Sequence, residues 1–294
     1  MMKPVMRIRS VTALVLSVVM LASCSRSLTK PSLISEVTTI EITTEETSSS
    51  PEETGDAKTA VPKVEKIEDN IRQITFSRDG NEFDGVLVLP DGEGPYKTIV
   101  LCAPLYTFGW DIIGRAYEYA EKGYAAIVFD FQDNMYDGGS PKYIGDFIYQ
   151  NVLDLYAVMD ALKYLPDVDT SNVYLWGHSM GGLTAAYAGA LRKDDIKGMI
   201  LVEPSIQNIT KMKFEGDAKL DADLYSLWKE MDIPVVIIRG THDGLGSDPD
   251  FFNEAMASLK KGKLITIDGA DHYMTGSYGK LMTEKSVEEI KSWN

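Results

Sequence analysis

Six short, almost wholly apolar runs, at 98–103, 125–129, 173–176, 198–202, 235–238 and 264–267, alternate with longer stretches of helical periodicity at 111–122, 146–165, 180–192, 250–260 and 279–292. A strand that is apolar at every position has no face left for water, so each run predicts a strand covered on both sides, as parallel sheets require. Segments 71–77 and 83–89 alternate instead, and Arg78-Asp79-Gly80-Asn81 between them carries turn residues, which predicts an antiparallel hairpin at the start of the sheet. The expectation is an α/β fold: a mostly parallel sheet of about eight strands with an antiparallel N-terminal edge and helices on both faces.

This pattern occupies only part of the 294 residues. No Phe, Trp or Tyr precedes Phe76, so the first quarter cannot share the same core. Lys3, Arg7 and Arg9 stand before an apolar run at 11–21, the layout of a secretory signal. About eleven helical residues rise only ~16 Å, too little for a hydrocarbon core of ~30 Å. Leu21-Ala22-Ser23-Cys24 comes next, and it resembles the lipobox of bacterial lipoproteins. That resemblance implies cleavage after residue 23, lipidation of Cys24 and a mature protein held extracytoplasmically on a bacterial membrane by its N-terminal lipid. Residues 25–66 hold 15 Ser or Thr and 8 Asp or Glu, with Pro31, Pro51 and Pro62 and no aromatic, too little apolar surface to offset ordering entropy. The expected organisation is a signal at 1–23, a lipidated Cys24 and linker at 24–66, and one domain at 67–294.

In a parallel sheet, chemistry gathers on the loops that leave the carboxyl ends of the strands. After the run ending at Trp176 comes Gly177-His178-Ser179-Met180-Gly181-Gly182, then a helical pattern. Gly-x-Ser-x-Gly at a strand-to-helix turn presents a serine hydroxyl above the sheet, with small neighbours allowing the sharp reversal. A Gly-rich turn that merely packs helix on strand explains the glycines but not the catalytic partners placed downstream. A serine hydroxyl needs a base, usually His, and the chain has three histidines. His178 adjoins the serine within the turn and is expected to point away from its hydroxyl. His242 immediately precedes Asp243. His272, on the loop after the last strand, is the candidate base, and Asp243, on the loop after the strand before it, is the candidate acid that orients it. Asp248 and Asp250 read as solvated or helix-capping, and Asp271 is too close in sequence to fold back onto His272.

The order Ser179, Asp243, His272 is that of the α/β hydrolases. Over about residues 70–294 the chain resembles that superfamily, and particularly its bacterial feruloyl (cinnamoyl) esterases and monoacylglycerol-lipase-like, S33-type members. The motifs are Gly-His-Ser-Met-Gly-Gly, Arg239-Gly240-Thr241-His242-Asp243-Gly244 and Asp268-Gly269-Ala270-Asp271-His272-Tyr273. The resemblance implies an oxyanion hole of two backbone N–H groups, one from Met180 and one from the loop after the strand at 98–103. Relatives carry His-Gly-aromatic there; this chain has Ala103-Pro104-Leu105-Tyr106, and since Pro104 lacks an N–H the expected donor is Leu105. Tyr106, Trp228 and Tyr273 are candidate pocket residues, with Phe108, Trp110, Asp111, Met135 and the loop 130–142 as further walls. Between Glu203 and Pro234, where relatives insert a cap, about 30 residues allow a short cap; its apolar residues fit equally as helix core.

These residues point to a serine hydrolase that cleaves a small acyl ester through an acyl-enzyme. A peptidase of the same fold is an open alternative, because such a triad does not distinguish ester from amide, and a non-catalytic surface lipoprotein is another. No cofactor or metal is expected: no His/Glu pair has ligand spacing and no Gly-rich phosphate fingerprint follows the first strand. Nucleic acid is excluded as a partner by a net charge of -15 without a basic cluster. Cys102, inside an apolar run, reads as a small buried hydrophobe. Oligomeric state is not indicated.

Overall fold

Every apolar run forms a strand whose alternate residues enter two different cores. In the computed structural model, Val100 and Cys102 of one strand join a cluster with Leu87, Leu175, Met199, Leu201 and Ile237, while Ile99 and Leu101 join Val86, Trp176, Ile200, Val236 and Ile238 on the other face. The structure describes residues 38–39, 60–132, 144–206, 223–245 and 249–293. Cys24, the expected signal, most of the expected linker, Met135, Asp248 and the middle of the cap segment lie outside them.

The described residues form a ten-stranded sheet. In chain order its strands are β1 (Thr38–Thr39), β2 (Lys63–Glu68), β3 (Ile71–Arg78), β4 (Asn81–Val88), β5 (Tyr96–Cys102), β6 (Ala125–Phe129), β7 (Val168–His178), β8 (Gly198–Val202), β9 (Val235–His242) and β10 (Gly262–Asp271). Across the sheet they run β1-β2-β3-β4-β6-β5-β7-β8-β9-β10. The pairs from β1 to β6 are antiparallel, and all pairs from β6 to β10 are parallel. The hairpin predicted around Gly80 is β3–β4, in register from Ile71↔Val88 to Arg78↔Asn81.

The sheet exceeds the expected eight strands, and it begins upstream of residue 67. In β2, Lys-Val-Glu-Lys-Ile-Glu, no residue is fully buried. It is second from the edge, with only the two-residue β1 beyond it, and is held chiefly by its ladder to β3. Charged edges discourage further pairing, and such a strand leaves little hydrophobic signature.

Helices α1 (Ile113–Ala120), α2 (Ile144–Ala161), α3 (Met180–Leu191), α4 (Leu224–Glu230), α5 (Pro249–Ser258) and α6 (Ser277–Ser292) cover the sheet. Residues of α2, α3, α4 and α5 enter the first core; residues of α1 and α6 enter the second. Helix α3 is buried from Met180 to Ala190, which explains its apolar composition on all sides. Two-sided coverage leaves the strand ends as the places where polar side chains meet, and the turn from β7 into α3 stands inside the parallel part of the sheet, flanked by β5 and β8.

Candidate active site

Ser179 sits between the last residue of β7 and the first of α3, with φ 55° and ψ -118°. A non-glycine residue with positive φ is strained, and such strain persists only where neighbours over-determine it. Here they do. The Ser179 N–H donates to the Val202 carbonyl at 3.0 Å, and the Ser179 carbonyl accepts from Leu183 N–H at 3.1 Å and from Ser205 N–H at 3.0 Å. A Cβ on Gly181 would collide with the carbonyl oxygens of Cys102 and Ala103, and one on Gly177 with that of Gly181. The glycines of the motif are thus required by contact between β7, α3 and the end of β5.

His272 follows β10 and Asp243 follows β9. The His272 Nδ1–H donates to the Asp243 carboxylate, 3.1 Å from each oxygen. With the proton on Nδ1, Nε2 carries the lone pair. Both side chains are shielded, at 8% and 2% exposure, so the bond forms with little competition from water. Asp243 also accepts from Leu245 N–H at 2.9 Å. Burial works to raise its carboxyl, but Leu245 N–H, His272 and Glu203 together hold it below the ordinary carboxylate range.

The Ser179 hydroxyl lies 3.3 Å from the hydroxyl of Ser205; no hydrogen bond to His272 is formed. Such bonds are often long without substrate and tighten on binding. Ser205 was not anticipated, since a serine after β8 carries no motif. As expected, His178 turns away from the hydroxyl: its Nε2–H donates to the His272 carbonyl at 2.7 Å, and the two rings lie 5.1 Å apart. Burial foremost, with the neighbouring His272 adding, drops His178 to about 4, so it is neutral at ordinary pH.

A second residue that sequence reasoning missed is Glu203, directly after β8. It is buried and has φ 40°. One carboxyl oxygen accepts from the Gly240 N–H. Ligating atoms of Glu203, Asp243 and His272 all lie within 4.8 Å of one another, the one such group with metal-like spacing among the described residues. Their mutual hydrogen bonding accounts for this closeness. Burial pushes Glu203 up to about 8, reinforced by the Asp243 charge and opposed by Gly240 N–H and Arg239.

The loop after β5, where an oxyanion donor is expected, forms a tight turn. Thr107 N–H donates to the Pro104 carbonyl at 3.2 Å, and Tyr106, third in this turn, has φ 60°, the signature of a type II turn with Leu105 second. Leu105 N–H makes no hydrogen bond to a described residue. Met180 N–H opens α3, where the first N–H groups lack intrahelical partners. Tyr106 and Tyr273 are exposed, at 50% and 61%, and the Tyr273 ring lies 5.3 Å from that of His272.

Trp228 corrects an expectation. It is fully buried in the first core beside Tyr225, ring centroids 5.9 Å apart, because α4 turns its apolar stripe toward α3 and α5 rather than toward a substrate. Cys102 is buried as expected, and burial pushes its thiol far above the usual range.

Strand order, antiparallel edge and strand-turn-helix serine together define the α/β-hydrolase fold, and this chain has it. Residues 113–228 match the family described as serine aminopeptidase, S33. Esterase FrsA of Enterobacter sp. (strain 638) is 26% identical over 149 residues, 49% of this chain and 34% of FrsA. The chain therefore aligns with only about a third of that curated relative. Among solved structures, Est1E from Butyrivibrio proteoclasticus superimposes with a TM-score of 0.61 at 19% identity, covering 75% of this chain and 98% of Est1E. A dienelactone hydrolase from Anabaena variabilis superimposes at 0.60 and 17% identity, covering 78% and 97%.

Proposed function

We propose that this protein is a serine hydrolase of carboxylic esters. The observation that carries the reading is the bond from His272 Nδ1–H to both oxygens of Asp243, made on neighbouring strand-end loops of a sheet that holds Ser179 at a strained turn into α3. Ser179 Oγ attacks the ester carbonyl while His272 Nε2 takes its proton. Asp243 stabilises the imidazolium so formed. The carbonyl oxygen, now anionic, accepts from Met180 N–H and Leu105 N–H, each donor worth about 3 kcal/mol in such sites. His272 returns the proton to the departing alcohol. Water, deprotonated by the same nitrogen, then cleaves the acyl-enzyme and frees Ser179.

Exposed Tyr106 and Tyr273 make the mouth open and aromatic, which favours small acyl esters. Ferulic acid is the ligand bound to Est1E in one related structure, and a hydroxycinnamoyl ester is one substrate this mouth would take. A peptidase reading has one specific support, the serine aminopeptidase description of the family matched by residues 113–228. In the same proposal, lipid on Cys24 holds the enzyme on the outer face of a bacterial membrane.

The test is to assay the protein and its Ser179→Ala variant on short-chain nitrophenyl esters, methyl ferulate, monoacylglycerols and aminoacyl amides, alongside a fluorophosphonate probe. Labelling and ester turnover, both lost in the variant, are expected. Absence of labelling in the unmutated protein rejects the hydrolase reading, and amide turnover above ester turnover selects the peptidase.

A further inference from the structure

We propose that Glu203 is a positioning residue that hydrogen-bonds the Asp243 carboxylate and thereby holds it against His272. The inference rests on the reading of Asp243 and His272 as the acid and base of the site. Its geometry is independent of any motif. The Glu203 oxygen Oε1 accepts from Gly240 N–H, while Oε2 is buried and accepts no hydrogen bond from any described residue. Its neighbour is the Asp243 carboxyl, which already accepts from Leu245 N–H and His272.

Two ionised carboxylates cannot bond, and a buried orphan oxygen is costly. One proton resolves both conditions. Asp243 has the N–H donors and keeps the negative charge; Glu203 Oε2 carries the proton and donates it. The backbone around Glu203 is fixed for this task, since its N–H donates to the Ile238 carbonyl at 2.8 Å and its φ of 40° is kept despite the strain. One short segment after β8 therefore serves both partners: Glu203 braces the acid, and Ser205 reaches the Ser179 hydroxyl at 3.3 Å.

The charged and titratable groups around Glu203 are Asp243 and Arg239 from β9 and the loop after it, and His272 from the end of β10; His178 at the end of β7 stands behind His272. As Glu203 loses its proton near pH 8, the brace becomes a repulsion and Asp243 loses its hold on His272.

The experiment compares wild type, Glu203→Gln and Glu203→Leu. Infrared difference spectra of wild type against Glu203→Gln at pH 7 are expected to show a protonated carboxyl in the wild type; an ionised Glu203 overturns the proposal. The downfield His272 Nδ1 proton resonance is expected to persist in Glu203→Gln and to be lost in Glu203→Leu; its retention in Glu203→Leu overturns the proposal. For nitrophenyl esters, Glu203→Leu is expected to lower kcat about 10- to 100-fold with little change in KM, the size typical of a lost supporting hydrogen bond, and Glu203→Gln to recover most of that loss. Wild-type kcat should fall above about pH 8 and that of Glu203→Gln should not. If the wild type hydrolyses no ester and takes no fluorophosphonate, the functional reading fails, and the infrared and resonance measurements still decide the role of Glu203.

Discussion

The Nε2–H of His178 donates to the backbone carbonyl of His272 at 2.7 Å, so the residue before the turn serine steadies the loop that carries the proposed base. The bond needs a proton on Nε2, which neutral and protonated rings both carry; the bond itself favours the charged ring, and burial outweighs it and keeps His178 neutral. In the unfolded chain the imidazole takes a second proton near pH 6.5, while in the fold it resists until about 4. The unfolded state therefore binds more protons between these values, and stability falls as pH drops through that window. Urea midpoints are expected to decline from pH 7 to 4.5 in the wild type and to decline less in His178→Gln.

Glu203 has the opposite sign. Its folded carboxyl keeps a proton up to about pH 8, whereas an unfolded glutamate loses it near 4.5. Between these values the folded state binds more protons, so this residue makes stability fall as pH rises. The melting temperature of Glu203→Gln relative to wild type is expected to be more favourable at pH 8 than at pH 5.

Ser179 is strained where glycine would not be. Ser179→Gly should abolish turnover and labelling while stabilising the fold by about 1 kcal/mol, the usual cost of a residue held at positive φ. Denaturant titration reads the gain. No gain would mean that the turn is not strained at φ 55°.

Leu105→Pro separates the donor from its scaffold. Proline is favoured at the second position of a type II turn and has no N–H. The variant should fold with a melting temperature close to wild type and lose about 100- to 1000-fold in kcat, as when one oxyanion donor is removed. Unchanged kcat would assign the donor elsewhere.

Arg78 Nε donates to Asp154 at 2.7 Å, and the same carboxylate accepts from the backbone and side-chain nitrogens of Gln132, each at 2.8 Å. The Asp154 side chain is 0% exposed. Arg78→Met leaves that carboxylate without its cation, and a cost of about 3–5 kcal/mol is expected by urea unfolding. Asp154→Asn, which keeps acceptor and shape, should cost less.

The sheet was legible because both faces of β5 to β9 are apolar, so each strand announced itself without alternation. β2 was not, since Val64 and Ile67 are its only apolar residues and its place depends on the ladder that β3 offers. The places of Ser179, Asp243 and His272 directly after strands are conveyed by local sequence. Glu203 also follows a strand, yet a lone glutamate there reads as solvated; what sets its surroundings is the approach of the loops after β8, β9 and β10, a tertiary fact. Trp228 shows the reverse error. An aromatic in a cap-like segment suggested substrate, while the stripe it shares with Leu224 and Tyr225 belongs to a packed helix.

The antiparallel margin has a mechanical meaning. β2 and the serine-bearing β7 are separated by five strand spacings, about 24 Å. Tension applied from the N-terminal side enters at the two-residue β1 and then at β2, the outermost ladders of the sheet. The outer ribbon can thus give way under pull and pair again before the strands that carry Ser179, Asp243 and His272 are reached.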